Sequence, residues 1–307
     1  MSDAIGVLVM AYGGPRSLDE VEPYVLDVRG FRPTPPEIVA EVRARYARIG
    51  GRSPILERTA TQARALEGVL RNGGRPFVAA VGMRHWHPYI RDTLHGMARE
   101  GISRAVGVVM APHYSRMSIG AYYAAVKEAR APVTVRGIES WHLLPGYISA
   151  LAERVQAGLE RLPAPAQRDA TVVFTAHSLP ERIVEWGDPY PQQLEETVEA
   201  VMARLGPRRH RFAYQSASHA QEPWLGPDVR QVLEELAREG ARHVVVAPIG
   251  FVSEHVEILY DLDVELAERA RALGVRMERI DMLHDAPAMI AGLADLVRQT
   301  AEAAGWV

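Results

Sequence analysis

Eight short, continuous apolar runs separated by longer amphipathic stretches set the strongest limit on what this chain can fold into. The runs are Ile5–Met10, Pro76–Val81, Ala105–Met110, Val133–Ile138, Thr171–Ala176, His210–Tyr214, His243–Ala247 and Val275–Ile280. Most lack the two-residue alternation of a strand with one wet face. They read as strands buried on both faces, as in parallel sheets. Between them, Pro36–Arg48, Thr59–Arg71, Tyr89–Arg99, Ile148–Leu162, Pro191–Leu205 and Val229–Arg238 carry apolar residues at three- and four-residue spacing, the mark of helices with one buried face. Strand–helix–strand order predicts an α/β fold with right-handed crossovers.

An internal repeat divides the chain in two. Ala98-Arg99-Glu100-Gly101 recurs as Ala237-Arg238-Glu239-Gly240. The first copy leads into a strand ending Met110-Ala111-Pro112, the second into one ending Val246-Ala247-Pro248. In each, a helix is expected to stop at the glycine, which tolerates the positive φ of a C-terminal cap. Leu143-Leu144-Pro145-Gly146 interrupts the pattern and places the expected boundary near Pro145, giving halves 1–145 and 146–307. A length of 307 residues suits two such units.

Composition removes several classes of function. The chain has no cysteine, so a disulfide framework, a zinc–thiolate site, a cysteine nucleophile and a thiolate-held iron–sulfur cluster are all excluded. A formal charge of −3 argues against a nucleic-acid partner. Met1-Ser2-Asp3-Ala4 followed by Ile5–Met10 does not read as a secretory leader. No apolar run approaches the length of a membrane span. The expectation is a cytoplasmic protein without stable membrane insertion.

Ligands of open α/β sheets bind beyond the carboxyl ends of the strands. That rule selects Tyr12-Gly13-Gly14, Arg84-His85-Trp86-His87, His113-Tyr114-Ser115, His177-Ser178 and the segment Pro248 to Glu257. Gly13-Gly14 lacks the third glycine of a dinucleotide-binding turn. There is neither a P-loop nor a nucleophile elbow, and adjacent His177 and Ser178 make a poor nucleophile–base pair. His177 follows a buried strand and precedes a Leu-Pro turn. It reads either as a site residue or as a core histidine bonded to backbone. Glu257, Asp261 and Glu265 recur every fourth residue, which spreads three carboxylates over roughly 80° of an α-helix. A π-bulge aligns them further. They read either as a solvated acidic face or as groups lining a cleft. A histidine opposite a glutamate backed by further acids suits divalent-metal binding and outward proton transfer. Arg29, Arg32, Arg43, Arg45 and Arg52 cluster near the first cleft loop, and guanidinium forks suit ligand carboxylates. His87, His113, His219, His243, His255 and His284 are expected to be structural or exposed, with His255 on a different side of a helix from Glu257. Trp86 and Trp224 are placed near the cleft or in the core.

Val9-Met10-Ala11-Tyr12-Gly13, Tyr46 through Gly51 with Ser53-Pro54, Ala111-Pro112-His113-Tyr114-Ser115, Thr175 through Pro180, Gly187-Asp188-Pro189-Tyr190, Pro223 through Pro227 and Pro248 through Glu257 together resemble the ferrochelatases, nearly end to end. These enzymes insert ferrous iron into a porphyrin. The resemblance implies two similar Rossmann-like halves, each with a four-stranded parallel sheet flanked by helices, and a porphyrin cleft between them. It implies that His177 and Glu257 are the catalytic and metal-facing pair and that Asp261 and Glu265 form an outward acid chain. His85 is assigned to the same proton or metal path. Tyr12 matches a tyrosine facing the iron from the other side of the macrocycle. Arg29, Arg45, Tyr46, Ser53 and Tyr122 match positions that hold propionates. Gly14 and Gly30 depart from the family pattern, standing where threonine and a second arginine are frequent.

The short length resembles the members that use coproporphyrin III, which carries four propionates. Protoporphyrin IX as substrate, a cobalt or iron chelatase for another tetrapyrrole, and a non-catalytic porphyrin or haem carrier are the alternatives. The implied partners are the porphyrin and Fe2+ alone, acting on a monomer that needs no other cofactor.

Overall fold

The computed structural model describes residues 4–71, 76–217 and 222–307. Of the histidines named above, His219 lies outside the described residues. All eight apolar runs are strands: β1 Ile5–Ala11, β2 Phe77–Met83, β3 Arg104–Val109, β4 Thr134–Ile138, β5 Thr171–His177, β6 His210–Gln215, β7 His243–Pro248 and β8 Arg276–Arg279. They form two all-parallel, four-stranded sheets in the orders β2-β1-β3-β4 and β6-β5-β7-β8. β1 is buried at every residue because helices cover both faces of the sheet, which is why its sequence is continuously apolar.

The repeat is structural as well as sequential. Helices Ile90–Arg99 and Val229–Arg238 precede β3 and β7. Gly101 and Gly240 take φ of 81° and 89°. Ile102 N–H then donates to Met97 O at 3.0 Å, and Ala241 N–H to Leu236 O at 2.9 Å. Both helices therefore end in the same left-handed cap. Asp228 starts the second by accepting from Arg230 N–H at 2.8 Å.

Three helices of eight residues or more escaped the periodicity: Val21–Val28, Ile119–Glu128 and Pro287–Ala303. The last packs on the Ile55–Arg71 and Pro145–Glu160 helices and reaches β3 and β4 of the first sheet. One apolar core runs from Ile5 and Val106 through Tyr147 and Val155 to Phe174, Val245 and Leu293. The two sheets are thus fixed against each other, and the carboxyl ends of their strands face a common cleft. Among the described residues no helix is long and apolar enough to cross a membrane.

Candidate active site

The cleft encloses about 350 Å³ between the loops that follow β1, β2, β3, β5 and β7. On one wall, β5 delivers His177 to the rim. Its carbonyl accepts from Tyr190 Oη at 2.9 Å, and the next residue is tied down by Ser178 Oγ donating to Leu225 O at 2.7 Å. Gln215, buried at the end of β6, accepts from Thr175 Oγ1 at 2.7 Å and donates to the Glu257 carbonyl at 2.9 Å. One amide thus locks the turn bearing Glu257 to the strand bearing His177.

His177 Nδ1 lies 3.0 Å from Glu257 Oε2, and both side chains remain about a third exposed toward the cleft. The contact is an ion pair rather than an aligned hydrogen bond, and neither atom has a hydrogen-bond partner among the described residues. Burial disfavours the imidazolium, but the facing Glu257 charge and contact outweigh it, so His177 is held above its ordinary value. Burial likewise disfavours the Glu257 carboxylate, yet His177 and His255 hold it well below the usual range. The Trp224 ring stands edge-on to His177 at 6.2 Å and lines the cleft. Trp86 is buried instead, donating to Glu20 Oε2 at 2.8 Å.

His255 corrects an expectation. It is two positions from Glu257, a spacing that would divide them only if both were helical. The helical turn begins at Val256, and His255 is extended with φ −157°. Its Nε2 lies 3.8 Å from Glu257 Oε2.

The opposite wall begins with Tyr12, one residue beyond β1. Its ring packs on His85 at 4.6 Å. His85 Nδ1 is 2.9 Å from Asp27 Oδ1, and Tyr89 Oη donates to Asp27 Oδ2 at 3.1 Å. Burial, and then the Glu257 charge, raise the Tyr12 phenol to about 12, with Arg84 opposing. Tyr46, Ser53 and Tyr122 line the same cleft and are almost wholly buried. Gly14 is tight against Ser53: a Cβ on it would stand 2.6 Å from Ser53 Cβ and 2.7 Å from Oγ. A threonine at this position has no room unless Ser53 shifts.

Beyond Glu257 the chain enters a π-helical segment, Asp261–Leu266, in which Glu265 N–H donates to Tyr260 O at 2.9 Å. This is the local widening that brings the acids into line. Asp261 and Glu265 line a second cavity of about 640 Å³ with Arg45, Arg48 and Arg230. Burial, followed by the Glu257 charge, raises Asp261 to about 6, although Ser216 donates to it and Arg45 lies 3.7 Å away. Arg230 is 3.9 Å from the more exposed Glu265.

Tyr12, Tyr46, Ser53, Tyr122, His177 and Glu257 are therefore brought together, and Asp261 and Glu265 continue from Glu257 as a chain. Three of the expected site residues, His85, Arg45 and Arg29, stand outside this arrangement. His85 does not stand on the acid path, since it is paired with Asp27 behind Tyr12. Arg45 does not line the cleft: it pairs with Glu41 at 2.7 Å, faces Asp261 and lies over the Tyr260 ring. Nor do its neighbours line it. Arg29 ends the Val21–Val28 helix with Nε buried and unpartnered, Arg32 donates to Arg29 O, Arg43 to Leu18 O, and Arg52 pairs with Glu57. The sequence reasoning missed Arg84, which lines the cleft one residue past β2 and was visible as the first residue of the Arg84–His87 segment. It also set aside His113, which is buried in the cleft wall with Nε2 2.9 Å from Thr197 Oγ1. Among the described residues no three His, Asp or Glu side chains form a metal cage.

The family model described as ferrochelatase matches residues 4–301. A ferrochelatase of Deinococcus radiodurans is 42% identical over 98% of this chain and 97% of its own. Proteins named coproporphyrin III ferrochelatase, from Geobacillus kaustophilus and Listeria monocytogenes, are 39% and 36% identical, covering 95% and 97% of this chain and 94% and 98% of theirs. Among solved structures, SirB of Bacillus subtilis with Fe3+ has a TM-score of 0.58 at 12% identity, covering 99% of this chain and 98% of that one. That likeness is one of fold.

Proposed function

The chain belongs to the ferrochelatase family, and from that premise we propose that it inserts Fe2+ into coproporphyrin III, with His177 and Glu257 as the reacting pair. The observation that carries the assignment is the 3.0 Å His177–Glu257 contact at the rim of a cleft whose other wall is Tyr12. Relatives named for coproporphyrin III favour that substrate.

The chemistry sets two demands. Two inner N–H protons must leave as the metal enters, and the flat macrocycle must bend to expose its nitrogen lone pairs. Remote contacts to the propionates by Tyr46, Ser53 and Tyr122 hold the ring against the cleft wall, so that binding energy supports distortion at the centre. His177 and Glu257 offer an imidazole and a carboxylate to the approaching Fe2+, and the porphyrin nitrogens complete its coordination. Protons released at the pair pass to Asp261, whose value near 6 suits both accepting and releasing a proton at neutral pH. Glu265 stands next on the way to the second cavity. Tyr12 faces the product iron from the other side, with His85 and Asp27 fixing its ring.

The protein so proposed is a cytoplasmic monomer in which the 1–145 and 146–307 halves each supply one wall and no resident cofactor acts. The test is anaerobic turnover of the purified protein with Fe2+ and each porphyrin in turn. Faster multiple turnover of coproporphyrin III than of protoporphyrin IX is expected. The reverse preference would overturn the substrate assignment. Binding of one equivalent without metallation would support a carrier instead.

A further inference from the structure

We propose that Arg84 is the cation that holds one carboxylate of the tetrapyrrole inside the cleft, acting with Tyr122. This rests on the tetrapyrrole-binding function above and adds a residue to it.

The arginines that the sequence offered for this task are occupied or lie elsewhere. Arg45 is engaged by Glu41 and Asp261, and Arg52 by Glu57. Among the described residues, Arg84 is the only Lys or Arg lining the enclosed cleft. Its guanidinium carbon sits 5.7 Å from the centre of the Tyr122 ring. Among the described residues no carboxylate stands within ion-pair distance of it. Asp27 is taken by His85, the residue next to Arg84, and by Tyr89. Arg84 is half-buried, in a wall made largely of aromatic and apolar side chains.

A guanidinium kept in such a wall without a counter-ion is costly unless a ligand supplies the negative charge. Its planar fork matches a carboxylate. The Tyr122 hydroxyl is a second donor, and burial holds that phenol neutral by raising it above its ordinary value. Arg84 also lies on the Tyr12 side of the cleft, across from Glu257. A carboxylate seated on it is therefore kept away from Glu257, the only carboxylate lining the cleft among the described residues. Charge in this cleft is thus divided, positive where the ring's substituent docks and negative where the metal enters.

The test uses Arg84→Met, which keeps bulk and removes charge, and Arg84→Lys, which restores charge without the fork. Porphyrin fluorescence reads Kd for coproporphyrin III and for its tetramethyl ester in the same detergent. Steady-state metallation reads KM and kcat. R84M is expected to weaken binding of the acid about 10- to 100-fold. KM should rise correspondingly, kcat should hold within about three-fold, and ester binding should be unaffected. R84K should recover part of the loss. An unchanged Kd for the acid, or equal weakening of acid and ester, would overturn the role of Arg84 while leaving the function standing. If the wild-type protein binds neither porphyrin, the tetrapyrrole function falls, and this assignment with it.

Discussion

Replacing Asp261 by Asn should make the protein more stable and less active. The Asp261 carboxyl is raised from 3.8 to about 6, a shift of about two units, because it is buried next to Glu257. At 1.36 kcal/mol per unit, its ionised form costs the fold about 3 kcal/mol. The sign is opposite to that of a salt-bridged aspartate. The native state binds the proton more tightly than the unfolded chain between pH 3.8 and about 6. Stability therefore falls as pH rises through that window, and the whole penalty stands above it. Asparagine carries no charge to desolvate, and its side-chain oxygen still accepts from Ser216. The gain is reduced by the loss of the 3.7 Å Arg45 contact and by water in the adjoining cavity. At pH 8 the variant should be more stable by about 1–3 kcal/mol, a few degrees in thermal midpoint. At pH 4 the two proteins should melt together. In parallel, metal insertion at pH 8 should slow about ten-fold or more, since a relay group is lost. A variant no more stable than wild type at pH 8, or stabilised equally at both pH values, would refute the account of Asp261.

Three other changes test separate parts of the site. Glu257→Gln leaves burial at His177 opposed only by the smaller influence of the Asp261 charge, so its imidazole should titrate lower than in the wild type, as followed by NMR of the ring protons. Gly14→Thr drives a side chain into Ser53, and overpacking should cost about 1–3 kcal/mol in thermal or denaturant unfolding while weakening porphyrin binding. Gln215→Ala releases the turn carrying Glu257 from β5 and leaves Thr175 without its buried acceptor. It should cost about 1–3 kcal/mol and lower kcat more than it raises KM.

The strands were legible because a sheet covered on both faces needs unbroken apolar runs, as at Ile5–Ala11. The helices Pro36–Arg48 and Val229–Arg238 were legible to the residue, bounded by prolines and by Asp228. The Pro287–Ala303 helix was passed over although it carries a proline in its first turn and apolar residues at helical spacing, whereas its crossing onto the first sheet is a tertiary choice that local sequence does not encode. Ile119–Glu128 escaped because Gly, Ala and Tyr blur its periodicity. In the site, His177 and Glu257 stand out as residues beyond buried strands, and the acid spacing anticipated the π-helical segment. Charges were harder to place. A run of arginines near a cleft loop says nothing about which acids will claim them, so Arg45 was assigned to propionates and Arg84 was overlooked. His255 was misplaced for a related reason, since its position turns on whether the helix starts before or after it.

In the function proposed for this chain, the His177–Glu257 pair performs metal insertion in a cleft that binds porphyrin independently of it. The most direct test compares wild type and His177→Ala under anaerobic conditions with Fe2+ and coproporphyrin III, reading porphyrin binding and metalloporphyrin formation in the same cuvette. Wild type should complete many turnovers, while H177A keeps its fold and its porphyrin affinity but loses at least about 100-fold in rate. An H177A protein that metallates porphyrin near the wild-type rate would contradict the assignment.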